Sequence, residues 1–325
     1  MATIITITGD LGSGKSTVSG LLQKHLKYDY IYTGKIMREL ADKYNMTTIE
    51  LNKYAETHPE IDEEIDSTFK SLNNSSNLIV DSRLAWFFIP QSFKVFLKTN
   101  LVVSAHRISN DNQRINERYS SKEEAAHKII ERKASENKRY MDLYGANCAD
   151  ITHFNLIIDT SFINPQKAAD IILAGYKEWL TSTKFVKAYI SPLNLYPTKT
   201  IRGEKDDCGM TQNEIWGKKD DCGTMQNEIW GKKDDCGTTQ NEMKEKNPVS
   251  IVSVNGFDYI VHGHKAVSCA IKNRIDLLPV NYIDENSVTL EGTTCKEEII
   301  NTFDRERLKV WEFCHSFEYK IYPVL

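Results

Sequence analysis

Nine residues near the start of this chain restrict it more than any others: Gly9-Asp10-Leu11-Gly12-Ser13-Gly14-Lys15-Ser16-Thr17. The apolar run Ile4-Ile5-Thr6-Ile7 precedes them, and an amphipathic stretch with Val18, Leu21 and Leu22 follows. The order is strand, glycine loop, helix, with Lys and Ser at the two fixed positions of a phosphate-binding loop of Walker A type. Glycines let successive backbone N–H groups turn inward around a phosphate with no Cβ in the way. The helix that begins near Lys15 adds its positive end. Gly9, Gly12, Ser13, Gly14, Lys15, Ser16 and Thr17 are therefore the candidate nucleotide-binding residues. Lys15 reaches the outer phosphates, and the Ser16 hydroxyl suits Mg²⁺. Such a loop binds ATP or GTP and does not choose between a kinase, a GTPase and a motor.

A length of 325 residues suggests about two domains. Residues 1–181 read as alternating strands and helices, with strands expected at 3–8, 30–32, 78–81, 94–98 and 155–159. Apolar residues at Ala168, Ile171, Ile172, Tyr176 and Trp179 repeat at helical spacing after Asn164-Pro165, a helix start. The expected fold is α/β, a five-stranded parallel sheet covered on both faces. No apolar run reaches the ~18 residues of a membrane helix, and no leader pattern is read at the N-terminus. Seven cysteines without a CxxC pair, beside a nucleotide loop, point to a reducing cytoplasm. The net charge of −4 argues against a nucleic-acid partner.

Residues 204–246 differ from the rest. Three copies of a 14-residue unit follow one another, marked by Lys205-Asp206-Asp207-Cys208-Gly209, Lys219-Asp220-Asp221-Cys222-Gly223 and Lys233-Asp234-Asp235-Cys236-Gly237. They are polar and nearly identical, and read as an inserted loop. One cysteine per unit is not zinc spacing, and the alternating oxygen ligands of a calcium loop are missing. Beyond them, 249–254 and 258–261 form an expected hairpin around Asn255-Gly256. A helix is expected over 266–272, a strand over 278–283 and one charged helical stretch over 296–309. Trp311, Phe313, Phe317 and Tyr319 read as core or docking residues rather than a base-stacking face, because their surroundings are not basic.

The guanine-binding pattern Asn-Lys-x-Asp is absent, since Asn137-Lys138 leads into Arg139-Tyr140. Cations instead recur at the ends of expected elements. Thr33-Gly34 opens a helix that carries Arg38, and Asp81-Ser82-Arg83 ends an apolar strand. Arg132 and Arg139 lie seven residues apart on one helix, near the same face, with Glu136 between them. A dense set of phosphate oxygens is stabilised only by surrounding cations, so these residues suit a second, phosphate-bearing substrate.

In order and spacing, residues 3–180 resemble the cytidylate kinase family, especially its compact archaeal-type branch. The resemblance rests on Gly9–Thr17, Tyr32-Thr33-Gly34 with Arg38, and Pro59-Glu60-Ile61-Asp62-Glu63-Glu64-Ile65-Asp66. It continues through Asp81-Ser82-Arg83-Leu84-Ala85-Trp86, Glu131-Arg132, Lys138-Arg139-Tyr140, Tyr144-Gly145 and Ile158-Asp159-Thr160-Ser161. It implies a nucleoside-monophosphate kinase fold with a short lid, and transfer of the γ-phosphoryl of ATP to CMP or dCMP with Mg²⁺. It implies Lys15, Arg132 and Arg139 as catalytic residues, and Thr33, Arg38, Asp62, Arg83 and Glu136 as acceptor-binding residues. Ser16 and Asp81 are the implied metal residues, and Arg107 and Arg114 lie near the lid entrance. Two departures stand out: Ser82 replaces a usual glycine, and Trp86-Phe87-Phe88 replaces a small residue before an aromatic.

Residues 186–283, without the repeats, resemble the ParB/sulfiredoxin-like superfamily, through Ile190-Ser191-Pro192, Tyr196-Pro197-Thr198, Phe257–Val261, His262-Gly263-His264 and Pro279. That implies a smaller α+β domain, 186–325 with its C-terminal extension, in which Gly263, His264 and Lys265 are the candidate anion site for a second nucleotide or small molecule. His262 stands where an acid is usual, and Ala266 where a base is usual. His264 reads equally well as functional or as structural. The leading expectation is a cytidylate-type kinase fused to a binding domain. The alternatives are a kinase for another small-molecule acceptor and an ATP-dependent regulator with a ParB-like recognition module.

Overall fold

The structure, a computed structural model, describes residues 3–199, 249–320 and 323, apart from 48–49, 52–53, 55–56, 73–74, 111–120, 149, 183–184 and 288–292. The repeats at 204–246 and Arg114 lie outside the described residues. The chain divides into two compact units, Met1–Val186 and Lys187–Leu325.

The first unit begins with β1 (Ile4–Gly9) and α1 (Lys15–Leu26), then β2 (Asp29–Tyr32), α2 (Thr33–Lys43) and α3 (Pro59–Ser71). It continues with β3 (Leu78–Asp81), a short α4 (Ala85–Phe88), β4 (Phe93–Lys98), α5 (Leu101–Ser109), α6 (Lys122–Tyr144), β5 (Leu156–Asp159) and α7 (Pro165–Thr181). The five strands are parallel, in the order β2-β3-β1-β4-β5. All residues of β1, β3 and β5 are buried, as a parallel sheet covered on both faces requires. Register pairs Ile7 with Asp81 and Gly9 with Leu97, so the carboxyl ends of β1, β3 and β4 lie side by side. That edge, where the chain reverses its direction of travel across the sheet, is where open α/β sheets place their ligands.

The helices start where local chemistry says they should. Asn164 caps α7 by accepting the Lys167 N–H at 2.8 Å, with Pro165 in the first turn. Ser121 caps α6 by accepting the Glu124 N–H at 3.1 Å, and left-handed Gly145 ends it. Ala105 and Ile108 of α5 pack on Ala125 and Ile129 of α6 and on Leu11 of the glycine loop. That apolar patch is the floor on which the loop rests.

The second unit holds β6 (Lys187–Ile190), β7 (Leu195–Pro197), β8 (Val249–Val254), β9 (Phe257–His262), α8 (His264–Lys272), β10 (Leu278–Tyr282), α9 (Cys295–Thr302) and α10 (Arg305–His315). Its strand order is β6-β10-β8-β9-β7, with mixed directions. The β8–β9 turn uses positive φ at both Asn255 and Gly256, the primed geometry that the Asn-Gly pair favours. Two expectations need correction. The helix expected at 266 starts two residues earlier, because Gly263 turns the chain at φ 90° and brings His264 into the first turn. The single stretch over 296–309 is two helices. Phe303 and Asp304 are extended between them, and Asp304 caps the second by accepting the Glu306 N–H at 2.9 Å. Trp311 and Tyr319 are buried, whereas Phe313 is 88% exposed and belongs to no core. Among the described residues no helix is long and apolar enough to cross a membrane.

Candidate active site

Backbone geometry builds the glycine loop. Gly9 has φ 152°, and a Cβ there would sit 2.2 Å from the Leu97 carbonyl oxygen of β4. Gly12 has φ 74°, and a Cβ there would be 3.0 Å from the Ser104 backbone. No other residue type fits either position without moving a strand or a helix. The loop is held from behind by neighbours distant in sequence. The Ser104 hydroxyl donates to the Leu11 carbonyl at 2.7 Å, and the Thr160 hydroxyl to the Ser13 carbonyl at 2.9 Å. Arg107 donates to the carbonyls of Gly12 at 3.1 Å, Thr160 at 2.7 Å and Ser161 at 3.3 Å. Arg107 thus organises the loop, a role that the sequence did not reveal, because no motif ties residue 107 to residues 12 and 160.

The charged groups of the loop lie close together. Lys15 Nζ donates to the carbonyls of Gly9 at 3.0 Å and Asp10 at 2.8 Å. Ser16 and Thr17 are exposed in the first turn of α1. Ser13 Oγ is buried and has no hydrogen-bond partner among the described residues. The Ser16 hydroxyl and the Tyr30 phenol both donate to Asp81 Oδ2, at 3.3 and 3.2 Å. Burial pushes the Asp81 carboxyl up, against the pull of Lys15, Tyr30, Ser16 and Arg83. Burial and the Asp81 charge raise the Tyr30 phenol, so it stays a donor at neutral pH. Ser16 and Asp81 together offer oxygen donors of the hard kind that Mg²⁺ prefers.

Two residues beyond Asp81, Arg83 begins a second cluster. Its guanidinium lies 3.0 Å from Glu136 Oε2, while Arg132 Nε donates to Glu136 Oε1 at 2.8 Å. Glu136 of α6 therefore gathers two of the expected arginines. Arg139, farther along the same helix, pairs through both carboxylate oxygens with Asp62 of α3. Arg132 and Arg139 thus serve different carboxylates. Arg38 of α2 stands apart from both pairs, bonded to the Tyr32 hydroxyl with its guanidinium 5.3 Å from that ring's centre. Thr33 is the first residue of α2.

The departures at 82–88 fasten this cluster. The buried Ser82 carbonyl accepts the Thr8 hydroxyl at 2.8 Å. The Trp86 indole N–H donates to the Arg83 carbonyl at 3.0 Å while its ring stacks on His153, centroids 4.6 Å apart. Tyr140 is pushed up to about 12 by burial and the Glu136 charge, and Cys148 to about 11 by burial.

In the second unit, Gly263 sits at φ 90° with Val249 against it, and Lys265 is exposed. His264 is not a cationic anchor. Its Nε2 accepts the backbone N–H groups of Thr198 at 3.1 Å and Lys199 at 3.2 Å. Burial, then Lys199, His262 and Arg307, lower it to about 4, so the ring is neutral at pH 7 and offers no charge to an anion. Its role is to tie the end of β7 to α8.

Residues 4–162 match the cytidylate kinase-like family. The cytidylate kinase of Pyrococcus abyssi is 36% identical over 173 residues, which is 53% of this chain and 92% of that protein. The cytidylate kinase of Sulfolobus acidocaldarius is 37% identical over 172 residues, 52% of this chain and 91% of that protein. That of Thermoplasma volcanium is 38% identical over 174 residues, 52% of this chain and 88% of that protein. The similarity supports a kinase function for the N-terminal part, the half of the chain that it covers. Nearly the whole length of each of these relatives is matched by a unit that carries the glycine loop, Asp81 and the arginine pairs, and the chain belongs to the cytidylate kinase-like family.

Proposed function

We propose that the first unit, expected over 1–181, is a nucleoside-monophosphate kinase that transfers the γ-phosphoryl of ATP to CMP or dCMP. The observation that carries this reading is the Ser16–Asp81 hydrogen bond. It ties the donor loop to the segment that presents Arg83, so the two phosphate-binding groups share one strand edge. The loop's backbone N–H groups and Lys15 bind the ATP phosphates. Ser16 and Asp81 would hold Mg²⁺, which neutralises phosphate oxygens. The buried Ser13 Oγ, without a hydrogen-bond partner among the described residues, supports a polar ligand at this loop.

Arg83 binds the acceptor monophosphate. Arg132 and Arg139 each already hold a carboxylate, so their part in transfer needs those pairs to open or to be shared with substrate. Thr33, Arg38, Asp62 and Glu136 complete the acceptor side in this reading. An oxygen of the acceptor phosphate attacks the γ-phosphorus, the bond to the β-phosphate bridging oxygen breaks, and ADP leaves. No side-chain base is needed, because the attacking oxygen is already anionic and positioning with charge stabilisation carries the step. The test is kcat/KM for the full chain with ATP, Mg²⁺ and a panel of nucleoside monophosphates and free amino acids. CMP and dCMP should stand highest. A higher value for another acceptor replaces the substrate assignment.

For the second unit we propose a ParB-like binding module. Support comes from the strand–glycine–helix turn at 262–264, whose Gly263 is close-packed on Val249. Its anion contacts would come from Lys265 and the first N–H groups of α8. Equilibrium dialysis of the full-length Lys15→Ala variant with labelled nucleotides tests it. Retained binding that Lys265→Glu abolishes supports the module, and an unchanged affinity in Lys265→Glu contradicts it.

A further inference from the structure

One charged group in the glycine loop is not used by the mechanism above. Asp10 is the second residue of the loop, where its carboxylate would repel a bound phosphate if its charge were bare. Its backbone N–H donates to the Leu97 carbonyl at 2.9 Å. Its Oδ2 accepts the Thr99 N–H at 3.1 Å, and its Oδ1 accepts Lys133 Nζ at 2.9 Å. Both oxygens therefore have a donor, and one of the donors comes from α6, 123 residues away.

Burial pushes the Asp10 carboxyl up, but the Lys133 charge and the hydrogen bonds from Lys133 and Thr99 outweigh it and hold it below the ordinary range. It is therefore an anion at neutral pH. Lys133 stands three residues before Glu136, one turn earlier on the same side of α6. Glu136 in turn meets Arg83 and Arg132. The phosphate loop and the arginines of the acceptor side thus both meet α6 through charged residues one helical turn apart.

The geometry points to Asp10 and Lys133 as positioning residues that couple the phosphate loop to the acceptor-side helix of the kinase. The pair cancels the carboxylate charge beside the phosphates and fixes where α6 presents Glu136. This role rests on the kinase reading above.

A double-mutant cycle in the full chain tests it, with Asp10→Asn, Lys133→Met and the double variant, together with Lys133→Arg. Lys133 is about half exposed, so Lys133→Met keeps the fold. Lys133→Met, which leaves the Asp10 carboxylate bare beside the phosphates, should raise the acceptor KM by about tenfold and the ATP KM by about threefold, whereas Asp10→Asn should spare the ATP KM. Lys133→Arg should restore most of the loss, and the double variant should be no worse than the poorer single one. Urea unfolding without nucleotide should show the same coupling between the two residues. An acceptor KM unchanged in Lys133→Met, or single effects that simply multiply in the double variant, overturns the coupling. A stability coupling without any shift in acceptor KM overturns it as well, because the pair is then only structural. A wild type inactive with every nucleoside monophosphate defeats the kinase reading and the coupling together. An active wild type with an additive cycle defeats the coupling alone.

Discussion

The glycine loop and the arginine cluster lie at one edge of one sheet, yet different forces hold them. Steric exclusion and backbone hydrogen bonds define the loop: Gly9 against Leu97, Gly12 against Ser104, and Arg107 on three carbonyls. The side chains of the cluster are held by ion pairs, with Arg83 and Arg132 on Glu136 and Arg139 on Asp62. Sterics tolerate almost no change, whereas ion pairs can break and re-form around a substrate. The proposed donor site, which must hold one shape, and the proposed acceptor site, which must close on its ligand, suit these two modes of construction.

The largest effect should come from the rigid side. Lys15→Ala removes the loop's only side-chain cation and should lower kcat by about 10²–10³-fold with every acceptor. Full activity in that variant would break the assignment of the loop. Next comes Arg83→Ala, which removes one charge from the adaptable side and leaves Glu136 still paired with Arg132. A rise in acceptor KM and a fall in kcat, together about 10²-fold in kcat/KM, should leave the ATP KM nearly unchanged. An effect confined to the ATP KM would erase the distinction between the two sides. Trp86→Phe keeps an aromatic ring against His153 but deletes the N–H that holds the Arg83 carbonyl. A rise of about threefold in acceptor KM is expected, a value typical of one lost neutral hydrogen bond. An unchanged KM would mean that Arg83 needs no such fastening.

The smallest effect concerns stability and lies in the second unit. His264 has its folded-state pKa lowered to about 4, below its unfolded value of 6.5. The unfolded chain therefore binds the extra proton first as pH falls. The contribution of His264 is fully present above pH 6.5 and is lost as pH drops towards 4. Urea midpoints measured across that range should fall less steeply in His264→Asn than in the wild type. Parallel curves would remove the neutral, docking role assigned to the ring.

The same contrast explains what could be read from the sequence. The loop is legible because its glycines, Lys15 and Ser16 fall within nine positions, and glycines at positive φ leave a local mark, although the neighbours that hold it are distant in sequence. The β8–β9 turn was legible for the same reason, through Asn255-Gly256. Arg38, Arg83, Arg132 and Arg139 could be named as cations at element ends, but their partners could not. Glu136 reaching Arg83 spans 53 positions, and Asp10 reaching Lys133 spans 123. Such pairings are set by how the sheet brings helices together, which periodicity does not encode. The break at Phe303-Asp304 is hidden in the sequence for a different reason. The flanking charged residues suit a helix on either side, and only the Asp304 cap separates them.

The most direct measurement is the fate of the γ-phosphoryl group. Wild-type protein and Lys15→Ala would each be incubated with Mg²⁺, CMP and ATP labelled at the γ-phosphate, and the products separated. The label should appear in CDP with the wild type, in step with ADP, and fall by at least about 10²-fold with Lys15→Ala. Label released as inorganic phosphate, with none in CDP, would contradict the proposed transfer.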